Sequence, residues 1–326
     1  MQFVTMWNCR FSITGEMIMN LDRRQAMGKI VGFAGAAAVS PAVFAADTCP
    51  VDGAIGLGSD GGADLGANLL AYVELDPFEV AKRAYEGYVR GGCMYGVFNA
   101  VVKELAAQGH EDACNFAAIP TNITVYGGSG VKGWGSICGC VNAAAMIVNI
   151  LGGVDQVAVI GAINRYYEKT PMPRGDDKFM NYIGAPIFHN DAGELLTPDM
   201  IGQSTADSIL CHTSVSHWSA ASKYGGAHKA KYERCAQVTA EVAFKTVEFL
   251  NQALKGELTT DPELEMVAKG NDDCYGCHTG TKREPDTYIG SDVNSFMECQ
   301  TCHAPHDVTS GLTGMHADAT CSTCHN

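Results

Sequence analysis

Gln237-Val-Thr-Ala-Glu-Val-Ala-Phe-Lys-Thr-Val-Glu-Phe-Leu-Asn-Gln-Ala-Leu254 sets Ala240, Phe244, Val247, Leu250 and Leu254 at three- or four-residue spacing, with Glu and Lys between them. That period predicts an amphipathic α-helix with one face on a core. Upstream the same period recurs. Asp76-Pro77 opens a helix through Arg90 striped with Phe78, Ala81, Tyr85 and Tyr88, and Gly92 to Leu105 continues with Met94, Val97, Phe98, Val101 and Leu105. Val141 to Leu151 is apolar nearly all round, which predicts a central buried helix. Between Tyr166 and Ser204, Pro171, Pro173, Pro186 and Pro198 interrupt the periodicity, so a long connection with two short strands is expected there. The fold class is mainly α.

Downstream of this helix the chain changes character near residues 256 to 272. After Gly270, Gly, Asp, Thr and His replace aliphatic residues, and such a segment cannot build a core from its own side chains. Within it lie Cys274-Tyr-Gly-Cys277-His278, Cys299-Gln-Thr-Cys302-His303 and Cys321-Ser-Thr-Cys324-His325. Each Cys-x-x-Cys-His reads as a covalent haem c site. Two thiols three positions apart reach the two vinyl groups of one haem, and the adjacent imidazole falls under the iron. His278, His303 and His325 are therefore expected as proximal ligands of three haems, and haem replaces the missing apolar core of a small, irregular multihaem c domain. Structural zinc would use such units in pairs, and three units each followed by His leave ligands over. A redox dithiol would occur once and needs no trailing His.

Haem c is normally attached outside the cytoplasm, and the chain carries a matching address. Asp22-Arg23-Arg24-Gln25 precedes an apolar stretch from Ile30 to Phe44, with a cleavage site expected after Ala45 and a start at Met19 or Met17. The Arg pair points to twin-arginine export, a route used by proteins folded around a cofactor before crossing. The apolar stretch is too short to span a membrane comfortably, and no later stretch reaches that length. The expected organisation is a signal peptide over 1–45, a helical cysteine-motif domain over 46–260 and the multihaem domain over 261–326, in a periplasmic protein with no membrane span in its mature form. Gly56-Leu-Gly58-Ser-Asp-Gly61 fits a dinucleotide fingerprint by letters alone; with no strand before it, it reads as a loop.

Net charge is −14, and from Gly256 onward 12 Asp/Glu face 3 Lys/Arg. This acidity excludes nucleic acid as a partner and favours basic electron-transfer proteins. No Ser-His-Asp set, phosphate loop or paired-carboxylate site stands out.

Seven further cysteines remain in the mature chain: Cys49, Cys93, Cys114, Cys138, Cys140, Cys211 and Cys235. An exported protein could pair them in disulfides. Their odd number, their places at helix ends and the export signal favour iron, with Cys93, Cys138, Cys211 and Cys235 as the candidate iron-sulfur ligands.

Gly92-Cys93-Met94-Tyr95-Gly96-Val97-Phe98, Trp134-Gly135-Ser136-Ile137-Cys138-Gly139, Cys211-His212-Thr-Ser214-Val215-Ser216-His217-Trp218 and Glu233-Arg234-Cys235 resemble the split-Soret cytochrome c family. The N-terminal part is similar to the wider group named for a C, GCAxxG, C, C cysteine pattern. The resemblance covers roughly residues 70 to 326. It implies a mainly helical domain with an iron centre, a C-terminal haem domain, and a homodimer in which a haem can take a ligand from the partner subunit. The chain departs from that family in having three haem motifs instead of two, and at Cys140 and Ser219.

Seven histidines lie outside the attachment motifs. His306 and His316, inside the haem segment, are the first candidates for distal iron ligands; His306 is too near His303 to serve the same haem. A third must come from elsewhere, with His228, then His212 and His217, as candidates. His110 and His189 read as structural. Filled axial positions describe a periplasmic electron carrier exchanging electrons with soluble redox proteins, such as a hydrogenase or a reductase of an anaerobe, with no catalytic residue. The alternative is a reductase of nitrite, peroxide or a sulfur oxyanion at an open haem or at the cysteine-bound iron.

Overall fold

The structure, a computed structural model, describes residues 69–258, 278 and 295–302. The signal segment, the glycine-rich loop, Cys49, Cys274, Cys277, His303, His306, His316, Cys321, Cys324 and His325 lie outside the described residues.

Helix α1 spans Pro77–Ala107. The Asp76 carboxylate caps it by accepting from the Phe78 amide at 2.8 Å, and Pro77 fills the first turn, where an N–H has no partner to lose. At Gly92 the backbone leaves helical geometry, with φ 82° and ψ −175°, a conformation costly for any residue with a Cβ. The two expected helices therefore meet at this break, and Cys93 opens the second. Next come α2 (Ala113–Ala118), a 3₁₀ turn (Thr121–Gly127) and α3 (Gly128–Lys132), a single turn in which Ser129, Gly130 and Val131 are left-handed. The buried helix α4 (Gly139–Asn149) follows. Strand β1 (Leu70–Ala71) pairs in parallel with β2 (Leu151–Gly152), tying the start of the described chain to the end of α4.

The second half holds α5 (Gln156–Lys169), α6 (Asp177–Ile183), α7 (Pro198–Ile201), α8 (Cys211–Ser222) and α9 (Lys229–Leu254). Helix α9 contains the expected Gln237–Leu254 stripe and begins eight residues before it, because the His228 ring caps the helix and Ala230, Glu233, Arg234 and Ala236 are already buried. The long α1 and α9 pack together where Gly96 removes a side chain. A Cβ there would lie 2.6 Å from Thr239 Cγ2 and 2.7 Å from the Ala84 carbonyl. Val141, Ala144, Ile147 and Val148 of α4 are fully buried beneath this pair. Each of the larger ones contributes roughly 1.5–3 kcal/mol by leaving water.

Residues 166 to 204 are more helical than their prolines suggest. Helix α5 hides from pattern reading because Arg165 and Glu168 form a buried ion pair on its inward face, interrupting the stripe of Val159, Ala162, Ile163 and Tyr167. The two strands expected there are instead the single bridges Met172 to Ser204 and His189 to Leu195. Buried Glu233 holds this connection in place. It accepts from Tyr85 Oη at 2.6 Å, Gln237 Nε2 at 2.8 Å, and the amides of Ile187 and Phe188 at 3.0 Å. No helix among the described residues is long and apolar enough to cross a membrane.

Candidate functional site

Four segments deliver cysteines to one place. The Gly92 break places Cys93, the start of α4 supplies Cys138 and Cys140, the first residue of α8 is Cys211, and the second turn of α9 carries Cys235. All five line one cavity of about 510 Å³, together with Tyr167 and Arg234. The sulfurs of Cys93, Cys138 and Cys140 lie within 4.8 Å of one another, and all three side chains are buried. Of the four cysteines expected to bind iron, Cys93 and Cys138 thus stand together in a close sulfur group completed by Cys140, while Cys211 and Cys235 face the same cavity. Cys140 was not in the expected set; its neighbour Gly139 was the available signal, since only a glycine there lets Cys93 approach.

The cavity holds negative charge on sulfur. Hydrogen bonds from Cys140 and Cys93 hold the Cys138 thiol well below its ordinary pKa, against the opposing effect of burial. The same bonds, seen from the donors, push Cys93 and Cys140 up. Burial, then the Cys138 and Cys235 charges, raise Cys211 to about 12. Arg234 is buried too; burial disfavours its charge, but Cys235, Tyr167 and Cys138 outweigh that and keep it cationic. Its Nη2 donates to Ser214 Oγ at 2.8 Å, and Tyr167 Oη contacts the same hydroxyl at 2.9 Å. One thiolate beside two thiols is what such a group supports alone. A bound cation would release the remaining thiol protons, and a donor set of soft sulfur suits iron or zinc.

The described part of the second Cys-x-x-Cys-His motif lies against α5 and the segment before α8. Cys299–Thr301 form a 3₁₀ turn in which the Cys302 amide donates to the Cys299 carbonyl at 3.2 Å, so the two thiols sit one turn apart. Lys169 at the end of α5 pairs with Glu298 at 2.7 Å, Arg165 Nη2 donates to the Phe296 carbonyl at 2.9 Å, and Thr301 Oγ1 donates to the Asp207 carbonyl at 2.5 Å. Helix α5 therefore carries Tyr167 on the cysteine cavity between two side chains that hold the residues just before the motif.

His278 of the first motif is buried. His228, a distal candidate, stands at the N-terminus of α9, where its Nδ1 accepts from the Ala230 amide at 3.1 Å and its ring stacks on Tyr224. His212 is exposed at the cavity lining, and His217 lies beside Asp207 on α8. His110 uses both ring nitrogens on local backbone. Cys114 is disulfide-bonded.

Residues 93–249 match the family described as "Putative redox-active protein (C_GCAxxG_C_C)". The chain is 30% identical over 239 residues to "Split-Soret cytochrome c" of Desulfovibrio desulfuricans, covering 66% of this chain and 80% of that protein. A solved structure described as "A novel iron centre in the split-Soret cytochrome c from Desulfovibrio desulfuricans ATCC 27774" aligns with a TM-score of 0.57 and 27% identity, over 74% of this chain and 94% of that one.

Proposed function

Because the chain belongs to the split-Soret cytochrome c family, we propose that it is an exported electron carrier. It passes single electrons between haems c on its C-terminal segment and an iron centre in the five-cysteine cavity. When bound, haem and cysteine-ligated iron supply the one-electron chemistry. In this reading Cys93, Cys138 and Cys140, with Cys211 and Cys235 in reach, hold the iron, as an iron-sulfur centre. The three Cys-x-x-Cys-His motifs hold three bis-histidine haems. Arg234 offsets the negative charge of the thiolates and orients Ser214 and Tyr167. Glu298 and Thr301 fix the second motif against α5 and Asp207.

The observation that carries this reading is the double contact of α5. Arg165 and Lys169 bind Phe296 and Glu298, just ahead of the haem-attachment turn, while Tyr167, between them in sequence, lines the cysteine cavity. Two redox sites gripped by one rigid helix suit electron exchange without domain motion. Periplasmic location by the twin-arginine route is supported by the Arg23-Arg24 signal and by the Cys114 disulfide, which needs an oxidising compartment. A homodimer is supported by the exposed apolar residues Val89, Ile123, Tyr126 and Trp134, the last 86% exposed. The partners are soluble redox proteins met through the acidic C-terminal segment.

Counting haem by its pyridine complex and total iron by elemental analysis tests the reading. Three haems and additional iron per chain are expected. Iron equal to haem would remove the iron centre, and fewer haems than motifs would remove the corresponding attachment sites.

A further inference from the structure

A backbone N–H only donates and a backbone carbonyl only accepts, so a histidine bonded to either has its tautomer fixed by that partner. His228 Nδ1 accepts from the Ala230 amide, which puts the proton of the neutral ring on Nε2. His110 is engaged on both sides, Nε2 with the Leu105 carbonyl and Nδ1 with the Asp112 amide. His217 is the reverse of His228. Its Nδ1 lies 3.1 Å from the Thr205 carbonyl, so Nδ1–H donates and the lone pair sits on Nε2. The carboxylate of Asp207, 3.8 Å from Nδ1, reinforces that orientation. A ring held by Nδ1–H on a carbonyl, with Nε2 presented outward, is the arrangement that orients metal-ligating imidazoles. No bond among the described residues engages Nε2.

The place fits the chemistry. Asp207 flanks His217, and its own carbonyl accepts from Thr301, one of the two residues between Cys299 and Cys302. Its carboxylate also faces Lys169 at 3.8 Å, the lysine that pairs with Glu298. One residue thus touches both the oriented imidazole and the turn that carries the second haem motif.

We propose that His217 is the distal iron ligand of the haem attached to Cys299 and Cys302. The proposal rests on the haem reading above. It makes α8 a direct link between the redox sites: Cys211 opens the helix on the cysteine cavity, and His217 follows six residues later, about 9 Å along the axis at roughly 1.5 Å per residue.

The test uses the full-length, haem-loaded protein and the variants His217→Gly and His217→Met, with haem content measured on each. His217→Gly is expected to keep its haem while one haem per chain turns high-spin and binds carbon monoxide after reduction; added imidazole reverses both changes. His217→Met is expected to stay low-spin with a higher potential at one haem, as methionine ligation raises it. Removing the second attachment site by Cys299→Ser with Cys302→Ser should abolish the spectral effect of His217→Gly. Intact haem content with wild-type spectra and no carbon monoxide binding in both variants overturns the assignment. So does a His217→Gly effect that persists without the second haem. Haem content that does not fall in the Cys299→Ser, Cys302→Ser protein overturns the haem reading instead, so the two failures are distinguishable.

Discussion

Gly139 lies against Cys93 so closely that a Cβ on the glycine would stand 2.7 Å from the cysteine sulfur, and 2.8 Å from both the Gly127 carbonyl and the Met94 amide. Two of these three neighbours are backbone and cannot swing aside. The Gly139→Ala variant must therefore move either α4 or the start of the second half of α1, at a cost of about 1–3 kcal/mol. Its expected signature is lowered non-haem iron at unchanged haem content, measured by elemental analysis against the pyridine complex. Full iron retention would show that the sulfur group tolerates displacement.

Cys140 should matter to the metal as much as Cys138. The Cys140→Ser change replaces a thiol that donates a hydrogen bond to Cys138 with a hydroxyl that binds iron far more weakly. Non-haem iron should fall at least tenfold in retention after chelator challenge, with Cys114→Ser as a comparison that leaves the cavity untouched. Equal retention in the two variants would place the iron on Cys93, Cys138, Cys211 and Cys235 without Cys140.

Arg165 neutralises Glu168 inside the protein, where burial already raises the Glu168 carboxyl above its ordinary pKa. Truncation to Met leaves that carboxylate without its partner and removes the bond to the Phe296 carbonyl. A loss of about 3–5 kcal/mol is expected, on the scale of broken buried pairs. Chemical denaturation should show it. The double change Arg165→Met, Glu168→Leu should recover most of the loss.

Glu241 gives the pH dependence a definite sign. Burial raises its pKa above 4.5, outweighing the bonds it accepts from Tyr166 and the Arg174 amide. The folded state therefore binds the proton more tightly than the unfolded one. The contribution of this group to stability grows as pH falls through the folded pKa and levels off below the unfolded value near 4.5. Glu241→Gln should flatten that part of the profile in denaturation curves taken between neutral pH and pH 4.5. An identical slope in both proteins would show the carboxylate ionised throughout.

The helices with clean apolar stripes were legible in the sequence: Phe78 to Tyr88, Met94 to Leu105, and Ala240 to Leu254 lie where their spacing put them. So was Gly92 as a boundary. Helix α5 was not, because Arg165 and Glu168 occupy inward positions that pattern reading assigns to solvent, and they belong there only as a pair. Convergence of the cysteines was legible as composition but not as geometry. Cys138 and Cys140 share the start of α4, yet that both meet Cys93 depends on the close approach at Gly139, a tertiary fact. The histidines were the least legible, since a ligand and a helix cap are the same residue type and differ only in which nitrogen faces a backbone group.

His228 shows that difference. It occupies the cap position of α9 and accepts from the Ala230 amide, a role that Asn, Asp or Ser performs in most helices. Because α9 is the spine against which α1, α4 and α5 pack, a lost cap should be felt by the whole domain. His228→Ala is expected to lower stability by about 1 kcal/mol, and His228→Asn to restore most of it, since the amide oxygen can accept the same bond. A ligand would behave otherwise: Asn cannot replace imidazole on haem iron, so the Asn and Ala variants would both turn one haem high-spin. Thermal melts and visible spectra of the two variants, taken side by side, therefore separate the cap from the ligand.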